Sequence, residues 1–284
     1  MSTVEQQLEA QRVANTSGLP HFEAFQGHRA ELTQLILGSA AAGPETLCVL
    51  GAGNAYDLEL EALLDRFAHV HLADIDADAV ARARQRAPEA ARSRLLTHAP
   101  LELSGMFHEL ERWGRLQVTP QELAMAPATG AKRVAGALPG PFDVVVSSCL
   151  LTQLQLSLLR VIGDQHPLFV VLRELLSLTH LRTLAALTRP GGRALLVTDL
   201  CEAAAFPAGL PREPSDLTGL MNELVASGHV VHSSHPGVLE RTLTSDPPLS
   251  RAFGRPTPSE PWLWHNGPER LFLVYGLTLQ RTSA

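Results

Sequence analysis

Apolar residues recur at helical spacing from Val4 to about Ser39, and the run is broken only at Thr16-Ser17-Gly18-Leu19-Pro20, where turn residues interrupt the period. The pattern predicts a helical cap over residues 1–40, followed by one main domain over residues 41–284. Thr46-Leu47-Cys48-Val49-Leu50 is too continuously apolar for a half-exposed strand and fits a central parallel strand buried on both faces. Helical and strand patterns then alternate. A helix is expected over Asp57–Phe67, a strand over Val70–Ala73 closing at Asp74, a helix over Asp76–Ala87 stopped by Pro88, and a weaker strand over Arg94–Thr97. Phe107–Trp113 reads as a helix. Thr119-Pro120-Gln121-Glu122 combines an N-cap, a proline at the first helical position and a capping-box acid, so it opens a second short helix, with a Gly/Pro/Ala-rich loop running on to Pro141.

Phe142–Ser147 is short, β-branched and preceded by Pro-Gly-Pro, which makes it a clear strand. Helices are expected over Leu150–Ile162 and Leu168–Leu187, a turn at Pro190-Gly191-Gly192, and a buried strand over Ala194–Thr198. A helix near Asp216–Ala226, a strand at His229–His232, a Pro/Ser/Gly-rich excursion to Pro268 and a closing strand over Leu271–Leu279 complete the chain. Seven strands alternating with helices predict an α/β fold with a mostly parallel sheet covered on both faces.

Composition narrows the chemistry. With 284 residues, 45% hydrophobic, the chain can bury one large core without crosslinks or metals. A net charge of -6 supplies no field that would draw in nucleic acid, so nucleic-acid partners are not expected. Met1–Arg12 lacks the apolar run of a secretory signal, which points to the cytoplasm, and the longest apolar stretches fall far short of a membrane span. Cys48, Cys149 and Cys201 have neither an even count nor a metal-like spacing, so no disulfide framework and no metal site are expected. Nothing in the pattern sets an oligomeric state.

Ligands of such sheets bind beyond the carboxyl ends of the strands. Gly51-Ala52-Gly53-Asn54 follows the first strand, and Asp74 ends the second, 21 positions after Gly53. The glycines admit a ligand close to the backbone, and an acid at that distance suits the vicinal hydroxyls of a ribose; Asp76 is better placed to cap the following helix. Tyr56 stands where a dinucleotide fingerprint needs its third glycine, which disfavours NAD and FAD, and no Gly-Lys-Ser/Thr is present to cradle phosphates.

These residues resemble the class I S-adenosylmethionine-dependent methyltransferases. The resemblance covers roughly Glu45–Leu200 and rests on Val49-Leu50-Gly51-Ala52-Gly53-Asn54, Val70-His71-Leu72-Ala73-Asp74-Ile75-Asp76, Phe142-Asp143-Val144-Val145-Val146-Ser147-Ser148 and the Arg189-Pro190-Gly191-Gly192 turn. It implies a Rossmann-like sheet whose last strand, Arg270–Tyr275 onward, runs antiparallel. It also implies S-adenosylmethionine as cofactor, held by Gly51, Ala52, Gly53, Asn54, Asp74, Ile75, Ser147 and Ser148, with Thr152 and Gln153 facing a small-molecule or peptide acceptor. Val49 stands where the family often carries an acid and Ala55 where it has a third glycine, so the methionine end falls to backbone, Asn54, Asp57 or the N-terminal helices. His98 occupies the neighbourhood of the acid that usually meets the adenine.

Methyl transfer asks mainly for positioning, and a base only for a hydroxyl or a protonated amine. His166 and His235, each before a proline, are the candidates for that base; His180 reads as core, and Trp262 and Trp264 share one face of an extended segment with a packing role. Ser148–Gln153 lacks the Asn/Asp-Pro-Pro-aromatic signature used on planar amino groups of adenine or glutamine. The N-terminal helices, Gly105–Pro139 and Ser233–Pro268 are expected to close over the acceptor. A catalytically silent cofactor-binding or scaffold protein, and an NAD-dependent oxidoreductase, remain the competing readings.

Overall fold

The structure, a computed structural model, describes residues 2–208, 214–267 and 270–283. The chain begins with helix α1 (Thr3–Ser17), capped by Ser2 in a reciprocal box with Glu5, then a 3-10 segment (Leu19–Phe25) and helix α2 (Gln26–Gly38). The alternating body follows: β1 (Thr46–Leu50), α3 (Leu60–Arg66), β2 (His69–Ala73), α4 (Ala77–Arg86), β3 (Leu95–His98), α5 (Phe107–Trp113), α6 (Pro120–Gly136), β4 (Phe142–Ser148), α7 (Leu150–Ile162), α8 (Phe169–Leu187) and β5 (Thr188–Glu202). Helices α9 (Leu217–Ser227), α10 (Pro236–Ser245) and α11 (Pro247–Ala252) and strands β6 (Thr257–Pro258), β7 (Trp262–His265) and β8 (Leu271–Gln280) complete it.

The strands form one sheet in the order β3-β2-β1-β4-β5-β8-β6, with β7 also on β8. β1 through β5 pair in parallel, and β8 enters antiparallel between β5 and the edge. Parallel central strands need apolar residues on both faces. Leu47, Val49, Val70 and Leu72 accordingly pack with Leu32 and Ile36 of α2 on one side, while Cys48, Leu50 and Val145 pack with Leu158, Leu176, Leu181 and Leu184 of α7 and α8 on the other.

The expected class holds: an α/β sheet with a reversed last strand and helices on both faces. Three details differ. His229–His232 is not a strand; Val231 only donates one bond to the Leu200 carbonyl, and the edge is built instead by β6 and β7 from within the excursion before Pro268, giving eight strands. Helix α6 does not stop early but runs 17 residues through Pro127, which is buried, and the helix packs on α8. The Pro190-Gly191-Gly192 turn is a bulge inside β5: Phe142 pairs with Thr188 and Val144 with Arg193, so the intervening residues loop out, with Gly191 at φ 76.

Candidate functional site

At the carboxyl ends of β1, β4 and β5 a cavity of about 250 Å³ opens. Gly51 and Gly53 bend the chain after β1 at φ 77 and φ 47, values that L side chains rarely adopt, so the bend depends on glycine. Ala55, in place of a third glycine, is also left-handed at φ 51 and completely buried; the position keeps the geometry of a glycine while carrying a methyl. Gly51 to Asp57 line one side of the cavity, Ser148, Cys149, Thr152 and Gln153 its floor, and Asp199, Trp264, Asn266, Arg270 and Phe272 the far side.

Two carboxylates face this space. Ser148 Oγ donates to Asp57 Oδ2, and Thr152 Oγ1 donates to Asp199 Oδ1. Enclosure by protein pushes Asp57 up to about 6, against the pull of the Ser148 hydroxyl, and raises Asp199 for the same reason against the pull of Thr152. Asp57 was expected inside a helix. The helix in fact starts at Leu60, which frees Asp57 to turn toward the cavity. Cys149 sits between the two pairs at φ 45, and burial holds its thiol well above its ordinary value, so it is no nucleophile.

The other residues singled out in the sequence divide. Gly51, Ala52, Gly53, Asn54, Ser148, Thr152 and Gln153 all line the cavity. Asp74 and Ile75 instead line a narrow adjoining cleft with Gln7, Gln11 and Leu103. The Asp74 carboxylate accepts from Gly53 N at 2.9 Å and from Asp76 N at 2.8 Å, and burial pushes it up to about 6 despite those bonds. Asp76 caps α4 through Asp78 N and Ala79 N. Ser147 does not reach the cavity: neighbouring residues of a strand point to opposite faces, and Ser147 Oγ lies 2.7 Å from His180 Nε2 on the far side of the sheet. His180 is fully buried and burial pushes it down to about 4, a neutral core histidine.

Neither His166 nor His235 comes near the cavity. His166 bonds the Gly114 carbonyl at 3.0 Å and accepts from Leu168 N, whereas His235 accepts from Gly237 N as the cap of α10. His98 stacks on His71, with ring nitrogens 2.9 Å apart. Of the expected closing segments, residues 105–139 contribute nothing to the cavity wall, because α6 packs on α8; among the described residues of 233–268 only Trp264 and Asn266 reach it.

The cover is α1. Gln11 donates to Gln153 Oε1 at 2.6 Å, Asn15 donates to Asp76 Oδ2 at 2.9 Å, and Asn54 donates to the Asn15 carbonyl at 2.8 Å. Arg82 donates to the Asn54 oxygen, so both ends of the Asn54 carboxamide are engaged as a fastener. A Cβ built on Gly53 would lie 2.9 Å from Asn15 Oδ1: the glycine makes room, and the Asn15 side chain fills it. Trp262 donates to His28 Nδ1 at 2.9 Å, and His28 stacks on Trp264, which packs these tryptophans as expected while presenting Trp264 to the cavity. Asp199, the residue that sequence reading missed, lies one position beyond the strand predicted to end at Thr198; inspecting the residue after each strand was the signal that could have found it.

No protein-family model and no curated protein matches the chain. Among solved structures it is similar to the YcgJ protein of Bacillus subtilis (11% identity, TM-score 0.48, covering 90% of this chain and 100% of that one). It is also similar to an S-adenosylmethionine-dependent methyltransferase of Methanosarcina mazei (12%, 0.47, 88% and 98%). A third is the magnesium protoporphyrin IX methyltransferase ChlM of Synechocystis PCC 6803 with bound S-adenosylhomocysteine (12%, 0.45, 99% and 89%). With TM-scores below 0.5 these likenesses carry no argument about activity. The strand order and the reversed β8 on their own make the architecture a Rossmann-like α/β sheet, as the sequence resemblance implied.

Proposed function

We propose that the chain is an S-adenosylmethionine-dependent methyltransferase acting on a small molecule or peptide. The observation that carries this reading is the pairing of the left-handed glycyl bend after β1 with the Asp57 carboxylate, both on one cavity at the carboxyl ends of the strands. The donor set fits the cofactor. Asp57, unpaired with any cation at hydrogen-bond distance among the described residues, suits the methionine ammonium and takes the role of the acid that Val49 does not supply; Ser148 orients it. Asp74 accepts from the backbone at Gly53 and Asp76, with the Ile75 N–H close by, and its carboxylate is the acid proposed to meet a ribose hydroxyl. Asn15 has to move off Gly53 for the sugar to enter, and the cavity falls below the roughly 300–1,000 Å³ usual for sites of this kind, so α1 shifts on binding.

When bound, the cofactor supplies an activated methyl group on its sulfonium. The chain's own contribution is placement: backbone at Gly51–Gly53 for close approach, Asp57 for the charged end, α1 as a cover that excludes water, and Thr152 with Gln153 at the acceptor's side. The small volume and the acidic net charge favour a small acceptor over nucleic acid.

Calorimetric titration tests the reading. S-adenosylmethionine and S-adenosylhomocysteine are expected to bind, NADH is not, and Asp57→Asn weakens S-adenosylhomocysteine while leaving 5′-methylthioadenosine, which lacks the amino-acid end, unchanged. Absence of binding by either sulfur nucleoside rejects it. Binding without transfer to any acceptor in a cell extract supports the silent cofactor-binding reading.

A further inference from the structure

The half of the cavity beyond β4 and β5 has its own unmatched charge. Thr152 occupies Asp199 Oδ1; beyond that bond the carboxylate meets its own backbone N–H, and among the described residues no cation pairs with it at hydrogen-bond distance. The nearby cation, Arg270, is spent on Glu202 in two bonds of 3.0 and 3.1 Å and reaches Asp199 only through space. Asp199 is half-buried on the wall of the cavity, where a ligand can supply the cation that the carboxylate lacks. Around it the wall is aromatic: Trp264 lies 5.3 Å from Phe272 and 5.7 Å from Phe25, centroid to centroid, and all three line the cavity. Arg160, the remaining charge of the lining, is exposed at the mouth, where solvent screens it.

We propose that Asp199 and Thr152 form the acceptor subsite and that the acceptor is an amine on a flat apolar body, taken as its ammonium ion by Asp199 Oδ2 with the body against Phe25, Trp264 and Phe272. The proposal rests on the cofactor reading in one respect, that Asp57 is committed to the methionine end and Asp199 is left for the acceptor. An anionic acceptor meets repulsion from Asp199. An alcohol forms only a neutral-donor bond, weaker than one between charged groups. Asp199 also provides the atom that takes the ammonium proton, which frees the nitrogen lone pair.

Three probes of one carbon skeleton test this by calorimetry: 2-phenylethylamine, 2-phenylethanol and phenylacetate, each titrated into the full chain with and without S-adenosylhomocysteine. The amine is expected to bind roughly tenfold or more tighter than the alcohol, and phenylacetate weakest. Asp199→Asn ranks amine and alcohol alike, whereas Asp199→Glu, which keeps the charge, retains the preference. Equal binding of amine and alcohol, preference for the acid, no binding by any of the three, or an amine advantage that survives Asp199→Asn overturns the proposal. Should Asp199→Asn not fold, the ranking of the three probes on the unaltered chain still decides. An amine preference in a chain that does not bind S-adenosylhomocysteine rejects the cofactor reading alone; bound S-adenosylhomocysteine with no amine preference rejects this one alone.

Discussion

Helices α8 and α1 both lie against the body of the protein, yet they are attached by opposite means. α8 buries Leu172, Leu176, Leu181, Leu184 and Leu187 between the sheet and α6, so removing it from its seat exposes core. α1 buries only Thr3 and Gln7 and is held over the cavity by side-chain hydrogen bonds at Gln11, Asn15 and Asn54. Hydrogen bonds exchanged with water contribute about 0.5–1.5 kcal/mol each, whereas a buried leucine contributes about 1.5–3 kcal/mol by burial alone. The lesson is that the fold separates what must stay from what must open: apolar contacts fix the floor of the site and polar contacts fasten its cover.

The sharpest way to break this contrast is in α8. Leu184 is fully buried, and Leu184→Ala is expected to lower global stability by about 2–5 kcal/mol in urea unfolding; a loss under about 1 kcal/mol would deny α8 its place in the core.

Next in size is the charge at Asp57. Its folded-state value near 6 lies above its ordinary 3.8, so the carboxyl binds its proton more tightly in the folded chain than in the unfolded one. The stability this gives is fully present at low pH and is lost as pH rises through about 6. Asp57→Asn is therefore expected to melt no lower than the parent at pH near 7. A cationic ligand reverses the sign: affinity for S-adenosylhomocysteine falls as pH drops below about 6, because a protonated carboxyl no longer pairs with an ammonium. A flat affinity profile across that range would remove Asp57 from the binding site.

A smaller effect sharpens the other side of the comparison. Asn15→Ala removes a bond worth about 0.5–1.5 kcal/mol and clears the space above Gly53, so amide exchange should quicken in α1 and not in α8, while S-adenosylhomocysteine binds more tightly. Equal acceleration in both helices would mean that the cover and the core open together. The least effect is expected at Ala55, whose left-handed backbone a glycine would relieve: Ala55→Gly should gain up to about 1 kcal/mol in thermal unfolding.

Much of this was legible along the chain. The five parallel strands announce themselves as short apolar runs, Thr119 and Glu122 form the capping box their spacing implies, and Asp76 caps α4. The buried strands and the caps are local facts: a strand covered on both faces has to be apolar throughout, and a cap needs only residues three positions apart. The glycyl bend was equally visible, since only glycine takes such φ values cheaply. Adjacent serines were harder. Ser147 and Ser148 look alike in sequence, and strand phase alone sends the first to His180 and the second to Asp57.

What the linear order could not contain is the meeting of distant segments. The Gly/Pro/Ala-rich stretch that read as a loop became the long helix α6 once it packed on α8, and the edge strand came from β6 and β7 because β8 offered them an unpaired side. The same holds for the site. Asp57 with Ser148, Asp199 with Thr152, and Asn15 over Gly53 join residues 91, 47 and 38 positions apart. Sequence by itself determined the sheet and its bend, because apolar runs and the φ freedom of glycine are properties of the residues themselves; the tertiary structure decided which carboxylates lose water and which side chain stands in the opening, because desolvation depends on what the rest of the chain brings alongside.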